Sequence, residues 1–277
     1  TVFTEKQLIH YRTFGFVMMR GVFTPEEMKT MQEEFEVAVR RQDEIAPYDG
    51  KAAYRHTSVL GDDTPFFASL TEDERLYRSA QQIFGDDVIL QEWHIYQYFA
   101  RTGTFWHAND GDPTHGRYIY GARYQFPVFE PVRADSGALR VIPGSHQAEF
   151  QWEVRKADAA GLLADIDQVG CVVCEAEPGD VVAFDTRVYH ATAPYQEERR
   201  VASGIYAHYP ETPAETAITG MVLGGGGPQW EAWRRNKVAS PFRRRREELM
   251  KRLQNAASNR GYRLERQPDG ETDLVRL

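Results

Sequence analysis

Between Asp87 and Tyr209 the chain breaks into short segments rich in β-branched and aromatic residues, and this pattern limits the fold more than any other feature. The segments are Val88 to Phe99, Arg117 to Val128, Ala138 to Ile142, Gly170 to Glu175, Val181 to Phe184, Val188 to Ala191 and Arg200 to Tyr209. Gly, Pro and Asp separate them, as expected for an all-β barrel or sandwich. No helices of parallel-sheet length alternate with them, which excludes a doubly wound fold.

The first third reads differently. Thr4 with Gln7, Thr24 with Glu27 and Thr71 with Glu74 each match a capping box, in which two side chains satisfy free backbone amides at a helix start. Pro25 adds the preferred first helical residue, and Met28, Met31, Phe35 and Val39 then recur on one face, predicting a helix to about Arg41. Phe16 to Met19 reads as a short buried strand, Ala46 to Pro65 as a loop, and the third helix ends before Gly85. Downstream, Gly224 to Gly227 is too flexible for any element interior and suggests the hinge of a C-terminal lid. A helical segment is expected from Gln229 to Asn255, with Arg243 to Arg246 on its solvated face. The expected organisation is one domain over 1–277: helical support in 1–86, a β core in 87–210 and an extension in 211–277.

With 277 residues the chain can bury a sizeable core. Its net charge of −8 argues against nucleic acid as a partner, since phosphate neutralisation needs clustered Lys and Arg. Nothing approaches the apolar run of a membrane span, and no secretory leader is visible in the first residues. Cys171 and Cys174 are the two cysteines, which excludes a disulfide framework and points to a reducing, cytoplasmic setting. As half a zinc knuckle they lack a second pair, so buried strand thiols are the plainer reading.

The chemistry concentrates in Phe105-Trp106-His107-Ala108-Asn109-Asp110 and, far downstream, in Tyr189-His190. A facial iron site takes two imidazoles and one carboxylate on one side of the metal and leaves three positions open. Side chains at i and i+2 of a strand share a face, so His107 and Asn109 can project together while His190 arrives from another strand.

Three motifs in this order resemble the phytanoyl-CoA dioxygenase family of iron(II)/2-oxoglutarate oxygenases. They are Trp106-His107-x-Asn109, then Ser136-Gly137-Ala138-Leu139 leading to Ile142-Pro143-Gly144-Ser145-His146, then Pro178-Gly179-Asp180 through His190 to Arg199. The likeness runs from the Phe-Gly-Phe-Val of residues 14–17 to about Tyr209. It implies a mainly β double-stranded β-helix, a jelly-roll or cupin-like barrel with N-terminal supporting helices and a C-terminal helical extension. It also implies iron(II), 2-oxoglutarate and O2 as cofactors and the release of succinate and CO2. Its metal histidines fall on His107 and His190. Its arginine for the distal carboxylate of 2-oxoglutarate falls on Arg199 or Arg200. Strand alternation favours Arg199, which then shares a face with Ser203, and Thr192 matches a hydroxyl that contacts the cosubstrate. A planar guanidinium meets a carboxylate with two parallel donors, which lysine cannot do.

The family has Asp where this chain has Asn109. Four readings stand: ligation through the amide oxygen, replacement by Asp110 or Asp112, inactivation of a parent aspartate, and a halogenase-like variant. The expected reaction is oxidation, by hydroxylation, of a small molecule. Trp106, Tyr96, Gln97 and Gln125 are the expected pocket lining, within an aromatic-rich surround of Trp93, Tyr98, Tyr118, Tyr120 and Tyr124. His94, His115, His146 and His208 read as structural or pocket residues. A silent binding protein and a cupin-like sugar- or metal-binding barrel are the rival classes.

Overall fold

The computed structural model describes residues 2–86, 88–99, 101–109, 120–195 and 197–209, with residue 251 and the strands Tyr262–Arg266 and Thr272–Arg276. The glycine run at 224–227, the Arg243 to Arg246 run and, apart from Lys251, the expected helix over 229–255 lie outside the described residues.

Two capping boxes form as the sequence predicts. The Thr4 hydroxyl accepts from the Gln7 amide at the start of α1 (Glu5–Phe14), and Thr24 accepts from Glu27 at the start of α2 (Pro25–Ile45). Helix α2 runs four residues beyond the expected end. Between the two helices lies β1 (Phe16–Met19). The third box does not form. Helix α4 (Glu74–Phe84) is capped by Asp73, whose side chain accepts from the Arg75 amide. Thr71 instead donates its hydroxyl to the Ala68 carbonyl, at the end of the short helix α3 (Pro65–Leu70). A preceding helix thus took the threonine that sequence spacing assigned to the next one. The expected loop over 46–65 also contains a strand, β2 (Tyr54–Ser58). As an edge strand paired on one side it can carry the polar sequence Tyr-Arg-His-Thr-Ser.

The β core follows: β3 (Val88–Tyr98), β4 (Thr102–His107), β5 (Gly121–Pro127), β6 (Leu139–Val141), β7 (Val172–Cys174), β8 (Val181–Asp185), β9 (His190–Tyr195) and β10 (Arg199–His208). Helix α5 (Ala148–Ala159) interrupts it between β6 and β7. Strands β11 (Tyr262–Arg266) and β12 (Thr272–Arg276) pair as a separate hairpin, an element the sequence reading did not include. The remaining strands form two antiparallel sheets, ordered β1-β8-β5-β10-β3-β2 and β4-β9-β6-β7. These are the two layers of a double-stranded β-helix.

The six-stranded sheet has two unlike faces. Outward, Val17, Trp93, Tyr124, Phe126 and Tyr206 pack against Met31, Phe35 and Leu76 of the helices in one dry core. Each fully buried large side chain there contributes roughly 1.5–3 kcal/mol. Gly204 is required by this packing, because a Cβ at that position would stand 1.8 Å from Cε3 of Trp93. Inward, Phe16, Val182 and Phe184 meet Leu139, Val141 and Cys174 of the four-stranded sheet between the layers. Burial raises the Cys174 thiol to about 12, as befits an inert strand cysteine.

Candidate metal and cosubstrate site

His107 ends β4 and His190 begins β9, and the register sets them directly opposite one another. Their ring centroids are 4.2 Å apart. The two imidazoles are oriented in the same way. Nδ1 of His107 lies 2.8 Å from the Phe105 carbonyl, and Nδ1 of His190 lies 2.8 Å from the Val188 carbonyl. A carbonyl only accepts, so both Nδ1 atoms carry the proton and both Nε2 atoms present a lone pair. Burial, opposed by these backbone contacts, lowers both histidines below their ordinary pKa, His190 the more strongly. Both therefore stay neutral, the form that ligates metal.

Asn109 lies two residues past His107, beyond the end of β4, so strand alternation does not place it. A backbone contact does. The Asn109 amide donates to the Thr186 carbonyl at 2.8 Å, in the turn that leads into His190. Its Oδ1 is buried without a hydrogen-bond partner. Among the described residues no Asp, Glu, Cys or further His joins the histidine pair as a ligand group. Asp110, Asp112 and His115 lie outside the described residues.

The second pole is Arg199, 5% exposed at the start of β10. It donates to the Gly137 carbonyl and, at 3.3 Å, to the Thr192 hydroxyl, and its guanidinium carbon stands 4.2 Å from the Tyr98 ring centre. Gly137 has φ +76°, and a Cβ there would fall 2.6 Å from Arg199 Nη1, so the Ser-Gly-Ala motif makes room for the arginine. Thr192 also lies 3.0 Å from the Thr104 hydroxyl. Ser203 is buried on the same face of β10, its hydroxyl unpartnered. A small cavity lies between the sheets here, lined by Gln125, Gly137, Leu139, Val182, Arg199 and Val201. Arg200 points the other way, pairing with Glu36 and Glu130 and stacking on Phe129. Its side chain thus lies on the face of β10 opposite Arg199.

Two expected lining residues are not in this space. Trp106 alternates with His107 to the far side of β4, where it packs with Val154 of α5, Ile142 and Tyr189. Gln97 likewise turns outward and bonds Arg55 at 2.6 Å and Glu198 at 2.9 Å. Tyr96 does face inward, with its hydroxyl on Glu92, and Gln125 lines the cavity. His146 is structural, its Nε2 3.1 Å from the Arg12 carbonyl. The sequence reading overlooked Glu92 and Arg123, both buried and charged. Their signal was available as the alternation Glu92, His94, Tyr96, Tyr98 against Trp93 and Ile95 along β3.

The family model for phytanoyl-CoA dioxygenase matches residues 11–201. The chain belongs to the phytanoyl-CoA dioxygenase family. It is a 2-oxoglutarate-dependent non-haem iron dioxygenase whose cofactors are iron(II), 2-oxoglutarate and O2. Among sequence relatives, the ectoine dioxygenase of Streptomyces coelicolor is 23% identical over 208 residues, 64% of this chain and 68% of the relative. Among solved structures, HygX from Streptomyces hygroscopicus with nickel and 2-oxoglutarate bound superposes with a TM-score of 0.61 at 19% identity. That match covers 75% of this dioxygenase and 88% of HygX. EctD from S. alaskensis with 2-oxoglutarate and 5-hydroxyectoine gives 0.55 at 18% identity, covering 75% and 77% of the two chains. At these identities the structures share the fold of this dioxygenase. Among the described residues, no helix is long and apolar enough to cross a membrane.

Proposed function

We propose that this dioxygenase binds iron(II) through Nε2 of His107 and His190 with the Asn109 amide oxygen at the third position, and that it hydroxylates a small molecule. The observation that carries this reading is the opposed histidine pair, with both Nδ1 protons committed to backbone carbonyls. The buried, unpartnered Oδ1 of Asn109 suits a ligand that completes the set. Iron and 2-oxoglutarate, when bound, supply the oxidising chemistry, with succinate and CO2 as co-products. Arg199 anchors the distal carboxylate of 2-oxoglutarate, with Thr192 and Ser203 as hydroxyl partners. Tyr98, stacked on the guanidinium, holds it in place. The inward face of β3 and β5, with Tyr96 and Gln125, orients the target molecule, and the walls around it keep water from the reacting carbon.

The small-molecule substrate agrees with the relatives, one of which is an ectoine dioxygenase and another of which has been solved with hygromycin B bound. The free cysteines suit the reducing cytoplasm. A second reading, reduced turnover, is favoured by the neutral side chain at 109, which donates less charge to iron than a carboxylate.

Anaerobic titration with iron(II) and 2-oxoglutarate, following the weak visible charge-transfer band of the chelate, tests the site. The band is expected in the native protein. Arg199→Lys should weaken 2-oxoglutarate at least about tenfold, about 1.4 kcal/mol. Asn109→Asp should tighten iron binding, and a rise in succinate release on the same change would favour the second reading. A native protein that forms no band, or an Arg199→Lys variant that binds 2-oxoglutarate normally, overturns the proposal.

A further inference from the structure

Strand β3 carries one residue too many for its neighbour. Along β10, Ile205 is paired with Glu92 and Tyr206 with Leu90, so Gln91 has no counterpart. A bulge of this kind sets two residues against one and re-aims a side chain. Leu90 and Trp93 both belong to the outward core, so Gln91 and Glu92 between them both turn inward. Gln91 is 2% exposed, and neither its Oε1 nor its Nε2 has a hydrogen-bond partner among the described residues. Since both amide atoms are unpartnered, turning the amide over changes nothing. Gln82 shows what a satisfied carboxamide does in the same chain. Its Oε1 accepts from the Phe3 amide at 2.8 Å, and its Nε2 donates to the Phe3 carbonyl at 2.9 Å.

Cross-strand register fixes the level at which Gln91 stands. One inward row, Glu92, Ile205, Arg123 and Phe184, crosses β3, β10, β5 and β8. Phe184 lies against His190, with ring centroids 4.9 Å apart. The next inward row holds Ile89, Ala207 and Gly121. The Gly121 carbonyl accepts from the Thr186 amide at 3.0 Å, and the Thr186 carbonyl accepts from the Asn109 amide at 2.8 Å. Gln91 therefore stands between the level of His190 and that of Asn109. Arg199 lies six residues back along β10 from Ile205, on the other side of the His190 level. The amide and the cosubstrate arginine thus flank the histidines from opposite ends. Ile89, Ile205 and Ala207 are fully buried and give this end apolar walls. Glu92 and Arg123 are engaged by one another and by further neighbours, so the group turned toward a ligand here is the neutral carboxamide.

We propose that Gln91 is a specificity-determining residue of this dioxygenase, and that its substrate carries a neutral amide edge, a lactam or a carboxamide, which Gln91 holds by two parallel hydrogen bonds. This rests on the reading of the histidine pair as the iron site. A carboxamide offers one donor and one acceptor side by side, and an amide edge returns one of each, as the Phe3 backbone does for Gln82. A carboxylate has acceptors only and would face Oε1 with like charge; an ammonium has donors only and would leave Nε2 unanswered. An acyl chain would answer neither atom. At the level between His190 and Asn109, an amide held in this way sets its neighbouring carbons beside the metal position.

The test uses the full chain held anaerobically with iron(II) and 2-oxoglutarate, and the probes are 2-piperidone, N-methyl-2-piperidone and cyclohexanone. All three present a ring carbonyl, and the first alone adds the N–H. Calorimetric titration reads affinity, and urea unfolding of the same samples reads stability. In the native protein 2-piperidone is expected to bind at least tenfold more tightly than either analogue. Gln91→Met keeps the length of the side chain and removes both polar atoms. It should abolish the preference for the N–H, leave 2-oxoglutarate affinity unchanged, and leave the urea midpoint unchanged or raised. A structural amide would behave in the opposite way, with a lowered midpoint and no preference to lose. The proposal is overturned if the native protein does not favour 2-piperidone, or if Gln91→Met retains that preference. A Gln91→Met chain that fails to fold would show that the amide serves the fold, and would also overturn it. Failure of the iron-site reading has a separate signal, the absence of the visible chelate band in the native protein, which the calorimetric ranking does not use.

Discussion

The two faces of β3 and β10 are one residue apart in sequence and opposite in construction. Gly204 and Trp93 face out and are paired in register; Ser203 and His94, the next pair, face in. Outside, the fit is so close that no Cβ can be added at 204. Inside, the Ser203 hydroxyl is buried with no partner, and Glu92, Arg123 and Arg199 hold charges away from water. The outward face is an apolar core shared with the helices, whereas the inward face gathers buried polar and charged groups. We expect stability to rest on the outward side of these strands and recognition on the inward side.

The largest effect that could break this division comes from paired substitutions across it. Trp93→Ala should cost about 3–5 kcal/mol, as expected when a fully buried indole leaves a cavity among Tyr206, Gly204 and the helices. Ser203→Ala removes a buried hydroxyl that makes no hydrogen bond, so its unfolding free energy should be unchanged or slightly raised. Urea unfolding of both variants measures the difference. Comparable losses at the two positions would show that the inward face also holds the fold together.

The same contrast explains what the sequence made legible. Outward residues follow simple rules of periodicity and capping, so α1, α2, β1 and β3 were readable from Thr4, Thr24, Phe16 and the run after Val88. The histidine pair and Arg199 were readable too, because family motifs mark them. Strand β2 was not, since an edge strand with polar residues has no apolar alternation to announce it. Trp106 and Gln97 were placed inside on residue type alone, although alternation from His107 and Tyr96 would have turned them outward. Asn109 was assigned to the strand, but β4 stops at His107, and the Thr186 carbonyl that positions Asn109 lies far along the chain. Long-range partners of this kind leave no local trace.

Acid should sharpen the comparison. Glu92 is held below the ordinary carboxylate pKa in the folded state, so it contributes stability above about pH 4.3, and that contribution is lost as pH falls through the folded value. Glu92→Gln lacks this titration. The stability difference between native protein and Glu92→Gln should therefore shift against the native protein between about pH 5 and the acid limit. The cost of Trp93→Ala, an outward position with no ionisable group, should stay nearly constant over the same range. Thermal midpoints across pH read both. A Trp93→Ala cost that varies with pH as steeply as the Glu92→Gln difference would mean that the faces are electrostatically coupled.

The smallest effect lies at the rim of the outward side. Thr24→Ala removes the hydroxyl that accepts from the Glu27 amide at the start of α2, at a cost of about 1 kcal/mol. Part of the box survives, because the Glu27 carboxylate still accepts from the Thr24 amide and is held by the Arg75 fork. The loss should therefore fall in the lower part of the usual range for a helix cap. Helix α2 packs only on the outward core through Met28, Met31 and Phe35, so 2-oxoglutarate should bind the variant with native affinity while its thermal midpoint drops. A cap substitution that weakens the cosubstrate as well would show that the strands transmit strain from one face to the other, and the separation of roles along β3 and β10 would then be a matter of degree.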